Sequence, residues 1–96
     1  MFKLFKKENK NIEEKETLDY INVDTSNLEE YQKRVIEEYN DLFSKREKLT
    51  IFIANSRYSK KISDFEFDLL RKQNKIIYEY LIVLKSRILY FINKRQ

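Results

Sequence analysis

Glycine and proline are both absent from this 96-residue chain. Glycine supplies positive φ at tight turns, and the two residues together punctuate sheets and loops. Their absence argues against a β-rich or α/β domain with many turns, and long helices need the fewest. Cysteine is missing as well, which excludes disulfides, thiolate nucleophiles and thiolate metal sites together. Histidine is missing too, removing the usual general base and the commonest neutral metal ligand. No stretch approaches the roughly 18 apolar residues that a membrane-spanning helix requires. The longest clean runs, Tyr80 to Leu84 and Ile88 to Ile92, are five residues each, so no transmembrane insertion is expected. These absences point away from hydrolases, redox enzymes and cofactor-dependent catalysis.

What the chain does contain is 42% apolar and 38% charged residues. That is too apolar for wholesale disorder and too charged for a membrane protein. A single domain of this size buries only about 60 to 65% of its extended surface, and an elongated one buries less. The formal charge of +4 conceals a gradient: +1 over residues 1–16, −3 over 17–54 and +6 over 55–96. The second half attracts anions and the first tends to repel them.

Residues 1–25 read as an N-terminal arm, partly flexible. Phe2, Leu4 and Phe5 stand among lysines, a pattern open to brief membrane contact, but the apolar core of a secretory signal is missing. Leu18, Tyr20, Ile21 and Val23 are apolar enough to lie across a helix face. Ser26 followed by Glu29 fits a capping box, in which hydroxyl and carboxylate satisfy each other's orphan backbone donors. Beyond it, Leu28, Tyr31, Val35, Tyr39, Leu42, Leu49 and Ile53 share one broad face. This predicts a helix over about 27–55. A polar loop is expected near 55–62, and Ser63 with Glu66 forms a second capping box, with Ile62 and Phe67 as a hydrophobic staple. Acidic Asp64, Glu66 and Asp68 then favour a helix N-terminus.

The second helix carries Leu69, Leu70, Ile76, Ile77, Tyr80, Leu81, Leu84, Ile88 and Phe91, with Val83, Leu89 and Tyr90 widening its C-terminal part. At about thirty residues it is about 45 Å long, too long to be globular alone. A short loop makes neighbouring helices antiparallel, with paired levels whose numbers total about 118. Tyr31 then meets Arg87, Glu38 meets Tyr80, and Lys45 meets Gln73. The expected fold is all-α: an antiparallel two-helix hairpin over 26–96, coiled-coil-like, with its core completed by self-association.

Gln73, Tyr80 and Arg87 interrupt the second stripe at seven-residue intervals and lie near one seam. Two readings stand side by side. In one, they set the register, with Arg87 paired to Glu38 or another carboxylate; in the other, Tyr80 stacks on a ligand and Arg87 binds its anion. Arg34, Lys45 and Lys48 on the first helix are ordinary solvated cations by spacing. No glycine-rich phosphate cradle exists. Arg57, Tyr58, Lys60 and Lys61 offer a nucleic-acid alternative, with cations for phosphates and a ring for an unpaired base.

Taken together, residues 31–53 and 65–88 resemble a recurrent class of small bacteriophage helical-hairpin proteins. The likeness is carried by Tyr31, Arg34-Val35, Glu38, Leu42, Lys45 and Lys48-Leu49, with Leu69-Leu70, Gln73, Tyr80, Leu84 and Arg87-Ile88. Some such hairpins counter bacterial defence by sequestering cyclic-nucleotide signals in oligomeric pockets. The resemblance implies a non-enzymatic binder of a small phosphorylated ligand acting in the host-cell cytoplasm. It also implies Arg34, Lys45, Lys48, Tyr80 and Arg87 as the ligand contacts. A DNA- or RNA-associated accessory protein and a structural helical adaptor remain the alternatives.

Overall fold

A computed structural model describes residues 16–59 and 61–94. Two helices, α1 (Glu30–Ser59) and α2 (Asp64–Lys94), pack against each other in a hairpin, and no strand occurs among the described residues. No helix there is long and apolar enough to cross a membrane. The reading of Phe2, Leu4 and Phe5 lies outside the described residues.

Local chemistry sets both helix starts. At α2 the Ser63 hydroxyl accepts the Glu66 N–H at 3.1 Å, and its carbonyl accepts the Phe67 N–H at 2.9 Å. This is the cap expected there. At α1 the reciprocal arrangement forms three residues later than expected. Glu29 is the cap: its carbonyl accepts the N–H groups of Gln32 and Lys33, both at 3.0 Å, and the Gln32 side chain accepts the Glu29 N–H at 2.9 Å. Ser26 is diverted because its N–H donates to Asp24 at 3.0 Å, while Leu28 N–H closes a turn onto the Thr25 carbonyl at 3.0 Å. At its other end α1 runs through Ser59, since no residue there lacks an N–H or pushes the chain from helical φ.

The apolar stripes meet as a line of buried side chains. Val35, Ile36 and Tyr39 of α1 face Leu81, Leu84 and Ile88 of α2, with Leu28 closing one end. Tyr39, Leu81 and Ile88 are completely inaccessible. All of these lie in the half of the hairpin remote from the connection. Near the connection Leu49, Ile53, Phe67 and Leu70 are only half-buried.

That asymmetry comes from residues 16–29, which lie along the hairpin as a strap. The Tyr78 hydroxyl donates to the Glu16 carbonyl at 2.7 Å and accepts the Glu16 N–H at 3.1 Å. The Tyr39 hydroxyl donates to the Asp19 carbonyl at 2.9 Å. Asn40 takes both backbone groups of Ile21, accepting its N–H at 2.9 Å and donating to its carbonyl at 3.0 Å. Leu18 and Ile21 pack onto the core, as their apolar pattern suggests, while Tyr20 and Val23 stay largely exposed. Tyr20 meets Phe43 edge to face at 4.5 Å, and Lys85 pairs with Glu16. The strap thereby holds α1 and α2 at once.

The register follows the levels read from the sequence. Across the seam the Tyr80 hydroxyl donates to the Glu38 carboxylate. Losing this bond on ionisation is the main reason the Tyr80 phenol titrates above its ordinary value, with the charge of Arg87 acting the other way. Glu38→Gln is therefore expected to bring Tyr80 back toward about 10, read from its ring resonances in an NMR titration; an unmoved midpoint would contradict the bond.

Tyr39 also titrates above the usual value, chiefly through burial and then through the charges of Glu16 and Asp19. A phenol whose pKa is raised on folding contributes stability that is fully present below about pH 10 and is lost as pH rises through the folded value. Tyr39→Phe should remove that alkaline loss and cost about 1 kcal/mol at neutral pH. Urea melts across the alkaline range, followed by circular dichroism, measure both effects.

Candidate functional site

An open groove of about 780 Å³ runs beside the remote end of the hairpin. Tyr31 and Gln32 of α1 form one bank, and the C-terminal turns of α2 form the other. The α2 bank follows from helical spacing, because Val83, Arg87, Tyr90 and Lys94 are three or four residues apart and stack along one side. Two tyrosine rings are presented to solvent, Tyr31 at 59% and Tyr90 at 66% exposure. Arg87 lines the same groove and has no ion-pair partner among the described residues. The Lys94 ammonium lies 5.5 Å from the centroid of the Tyr90 ring, within cation–π range. Gln32 and Ser86 add neutral donors and acceptors, Val83, Ile82 and Phe91 add apolar lining, and no carboxylate lines the groove among the described residues. Its volume falls in the range of small-molecule sites, roughly 300 to 1,000 Å³. Aromatic faces and two cations suit a planar ring that carries an anionic group.

The five contacts implied by the resemblance do not converge within one protomer. Arg87 lines the groove. Tyr80 stands two turns away with its hydroxyl engaged by Glu38. At about 100° per residue, Arg34, Glu38 and Lys45 fall on the same side of α1 as Tyr31, and all are exposed. Lys45 is roughly 21 Å further along the axis from Tyr31 at 1.5 Å per residue. Lys48 lines a different groove, of about 670 Å³, beside the strap. There Glu16 and Glu47 accompany Lys48 and Arg46, so charge of both signs is present. The Arg46 guanidinium lies over the Tyr78 ring at 4.7 Å and donates to Asn74 at 2.5 Å. Gln73 is exposed.

The nucleic-acid candidates sit at the opposite end. Arg57 and Tyr58 belong to the last turn of α1, Tyr58 is 86% exposed, Lys61 lies in the connection, and Lys60 is outside the described residues. Position 57 is roughly 39 Å from Tyr31 along the helix, so this basic region and the Arg87 groove are separate surfaces. Among the described residues no group of three or more acidic side chains gathers as a metal site would require.

Sequence reasoning placed Tyr31 level with Arg87 but did not assign Gln32, Ser86 or Tyr90 to a ligand. The available signal was the spacing of 83, 87, 90 and 94, which was masked because Val83 and Tyr90 read as extensions of an apolar stripe. The stripe is in fact split. Leu81, Leu84 and Ile88 turn inward, whereas Leu69, Ile76, Val83 and Tyr90 turn to solvent.

No curated protein and no solved structure matches the chain. A sequence model of the Sequestin family matches residues 29–90. The match takes in nearly all of α1 and α2, including Tyr31, Arg87 and Tyr90, and leaves most of the strap outside it. The chain therefore belongs to the Sequestin family, whose name is that of a sequestering, binding protein.

Proposed function

We propose that the protein sequesters a small phosphorylated signal, such as a cyclic nucleotide, in the groove between Tyr31, Arg87 and Tyr90. The observation that carries the reading is that Arg87, which has no ion-pair partner among the described residues, shares a groove with two exposed phenol rings and with no carboxylate among its described lining residues. A guanidinium presents paired N–H donors that match two oxygens of one phosphate, and such charge-assisted bonds are worth about 1.5 to 3 kcal/mol each. Lys94 adds a second positive charge. A nucleobase has a flat π-face for Tyr31 or Tyr90, and Gln32 and Ser86 can meet its polar edge. The chain has neither histidine nor cysteine, and membership of a binding family fits a protein that holds its ligand without turning it over.

The resemblance to phage hairpins extends the reading to a phage protein that removes a defence signal inside the host cytoplasm. Self-association belongs to the same reading. It gives Arg34, Lys45, Lys48 and Tyr80 a route to a ligand that they cannot all reach within one protomer. The rival role in DNA or RNA binding has one observation in its favour, the 86% exposed Tyr58 beside Arg57.

Calorimetric titration of the full chain with a panel of cyclic di- and trinucleotides tests the proposal. One of them should bind stoichiometrically and return chemically intact after heat denaturation. Arg87→Ala should weaken it at least tenfold, while Arg57→Ala leaves it unchanged. Failure of the whole panel to bind, or indifference to Arg87→Ala, overturns the reading. Nucleic-acid affinity that falls steeply with salt and depends on Arg57 would favour the rival role.

A further inference from the structure

A further groove, of about 520 Å³, lies between the helices in the half nearer the connection. Arg46, Thr50 and Ile53 of α1 form one bank, and Asp68, Arg71, Lys72, Asn74 and Lys75 of α2 form the other. The register brings them together. With paired numbers totalling about 118, Arg46 stands level with Lys72, and Arg71 and Lys75, four residues apart, stack along one side of α2. None of the strap residues 16–29 lines this groove.

A short chain of hydrogen bonds joins the two banks. The Asn74 carbonyl oxygen accepts the Arg46 Nε–H at 2.5 Å, and the Asn74 amide donates to the Thr50 hydroxyl oxygen at 3.0 Å. The Arg46 guanidinium also lies over the Tyr78 ring at 4.7 Å, and Tyr78 is itself buried. Arg46 is therefore held in place by its own neighbours, so little side-chain freedom is left to lose when a ligand meets it. With the Asn74 and Thr50 oxygens already accepting, the walls present mainly donors: a hydroxyl, two guanidinium groups and two ammonium groups.

Four cations line the groove against one carboxylate among the described residues, Asp68, which pairs with Lys72 at 3.2 Å. An anion is the complementary ligand. No aromatic ring is among the described lining residues, so the groove recognises charge without a ring to stack on, unlike the one beside Arg87. Arg71 and Lys75 are about 6 Å apart along α2, and Arg46 reaches in from the other helix. A single phosphate meets part of this cluster, whereas a chain of two or three meets both banks. We infer that the groove is a second anion site, which takes a chain of two or three phosphates through Arg46, Arg71, Lys72 and Lys75, the chain being free or carried by a nucleotide. Such a ligand ties α1 to α2 where Leu49, Ile53, Phe67 and Leu70 are only half-buried, and so stabilises the more open half of the hairpin. Positions 71 and 87 are roughly 24 Å apart along α2, and the site does not depend on what the Arg87 groove binds.

Calorimetric titration of the full chain with inorganic triphosphate tests the inference, at low ionic strength where exposed charges are least screened. Triphosphate should bind at least about tenfold more tightly than inorganic phosphate, and should slow amide hydrogen exchange over residues 46–53 and 68–75. Arg71→Gln should weaken it at least about tenfold and keep the helical circular dichroism, because the side chain is exposed. If that variant loses helix content, Lys72→Gln, also exposed, carries the same test. Lys33→Gln, which removes one positive charge from the remote half, should change the affinity less than about twofold. No binding at millimolar triphosphate, equal losses from Arg71→Gln and Lys33→Gln, or equal affinity for inorganic phosphate overturns the inference. Adenosine triphosphate separates the two sources. Displacement of triphosphate at comparable concentration, lost in Arg71→Gln, supports a chain carried by a nucleotide; triphosphate that binds and is not displaced supports a free chain.

Discussion

Two phenolic hydroxyls hold this fold together in a way that the helix pair cannot manage alone. Tyr39 from α1 and Tyr78 from α2 each donate to a carbonyl of the strap, at Asp19 and Glu16. A two-helix hairpin has one internal interface and therefore a core one side chain wide. With the strap bonded to both helices, Leu18 and Ile21 cover that line and it becomes an enclosed core. The backbone groups of the strap would otherwise be left against apolar surface without partners, and that cost is avoided by Tyr39, Asn40 and Tyr78. Burial accordingly follows the strap: the fully enclosed Leu81, Leu84 and Ile88 are alongside it, and the residues near the connection are not.

The same asymmetry creates the surface available for binding. Because the strap occupies one side, the apolar excess of α2 has to emerge on the other, and Val83 and Tyr90 emerge next to Arg87. The Glu38–Tyr80 bond sits on that side as well. Tyr80 bonds across the helices to Glu38, whereas Arg87, one heptad on, has no carboxylate partner among the described residues and lines the groove.

Much of this was legible in the chain itself. The antiparallel pairing of Glu38 with Tyr80 and Tyr31 with Arg87 followed from the length of the connection and the seven-residue spacing, both local properties. The Ser63 cap was legible for the same reason: its partners are three and four residues away. The Glu29 cap was not, because the choice between Ser26 and Glu29 depends on Asp24 capturing the Ser26 N–H in a turn. The roles of Tyr39, Asn40 and Tyr78 were hidden more deeply. Each occurs at a spacing that suits a helix stripe, and their bonds reach backbone groups roughly 20 to 60 positions away, which no periodicity encodes.

The sequence by itself determined an all-α hairpin, its register and the candidacy of Arg87, because helix period, capping chemistry and the lack of glycine and proline act over a few residues. Only the tertiary structure decided which half of the α2 stripe is core and which is surface. That depends on where the strap lies, and the strap is placed by long-range hydrogen bonds and packing. The separation of Arg87 from Lys48 into different grooves has the same origin: along one helix they are simply cations, and their surroundings arise only when three segments are brought together.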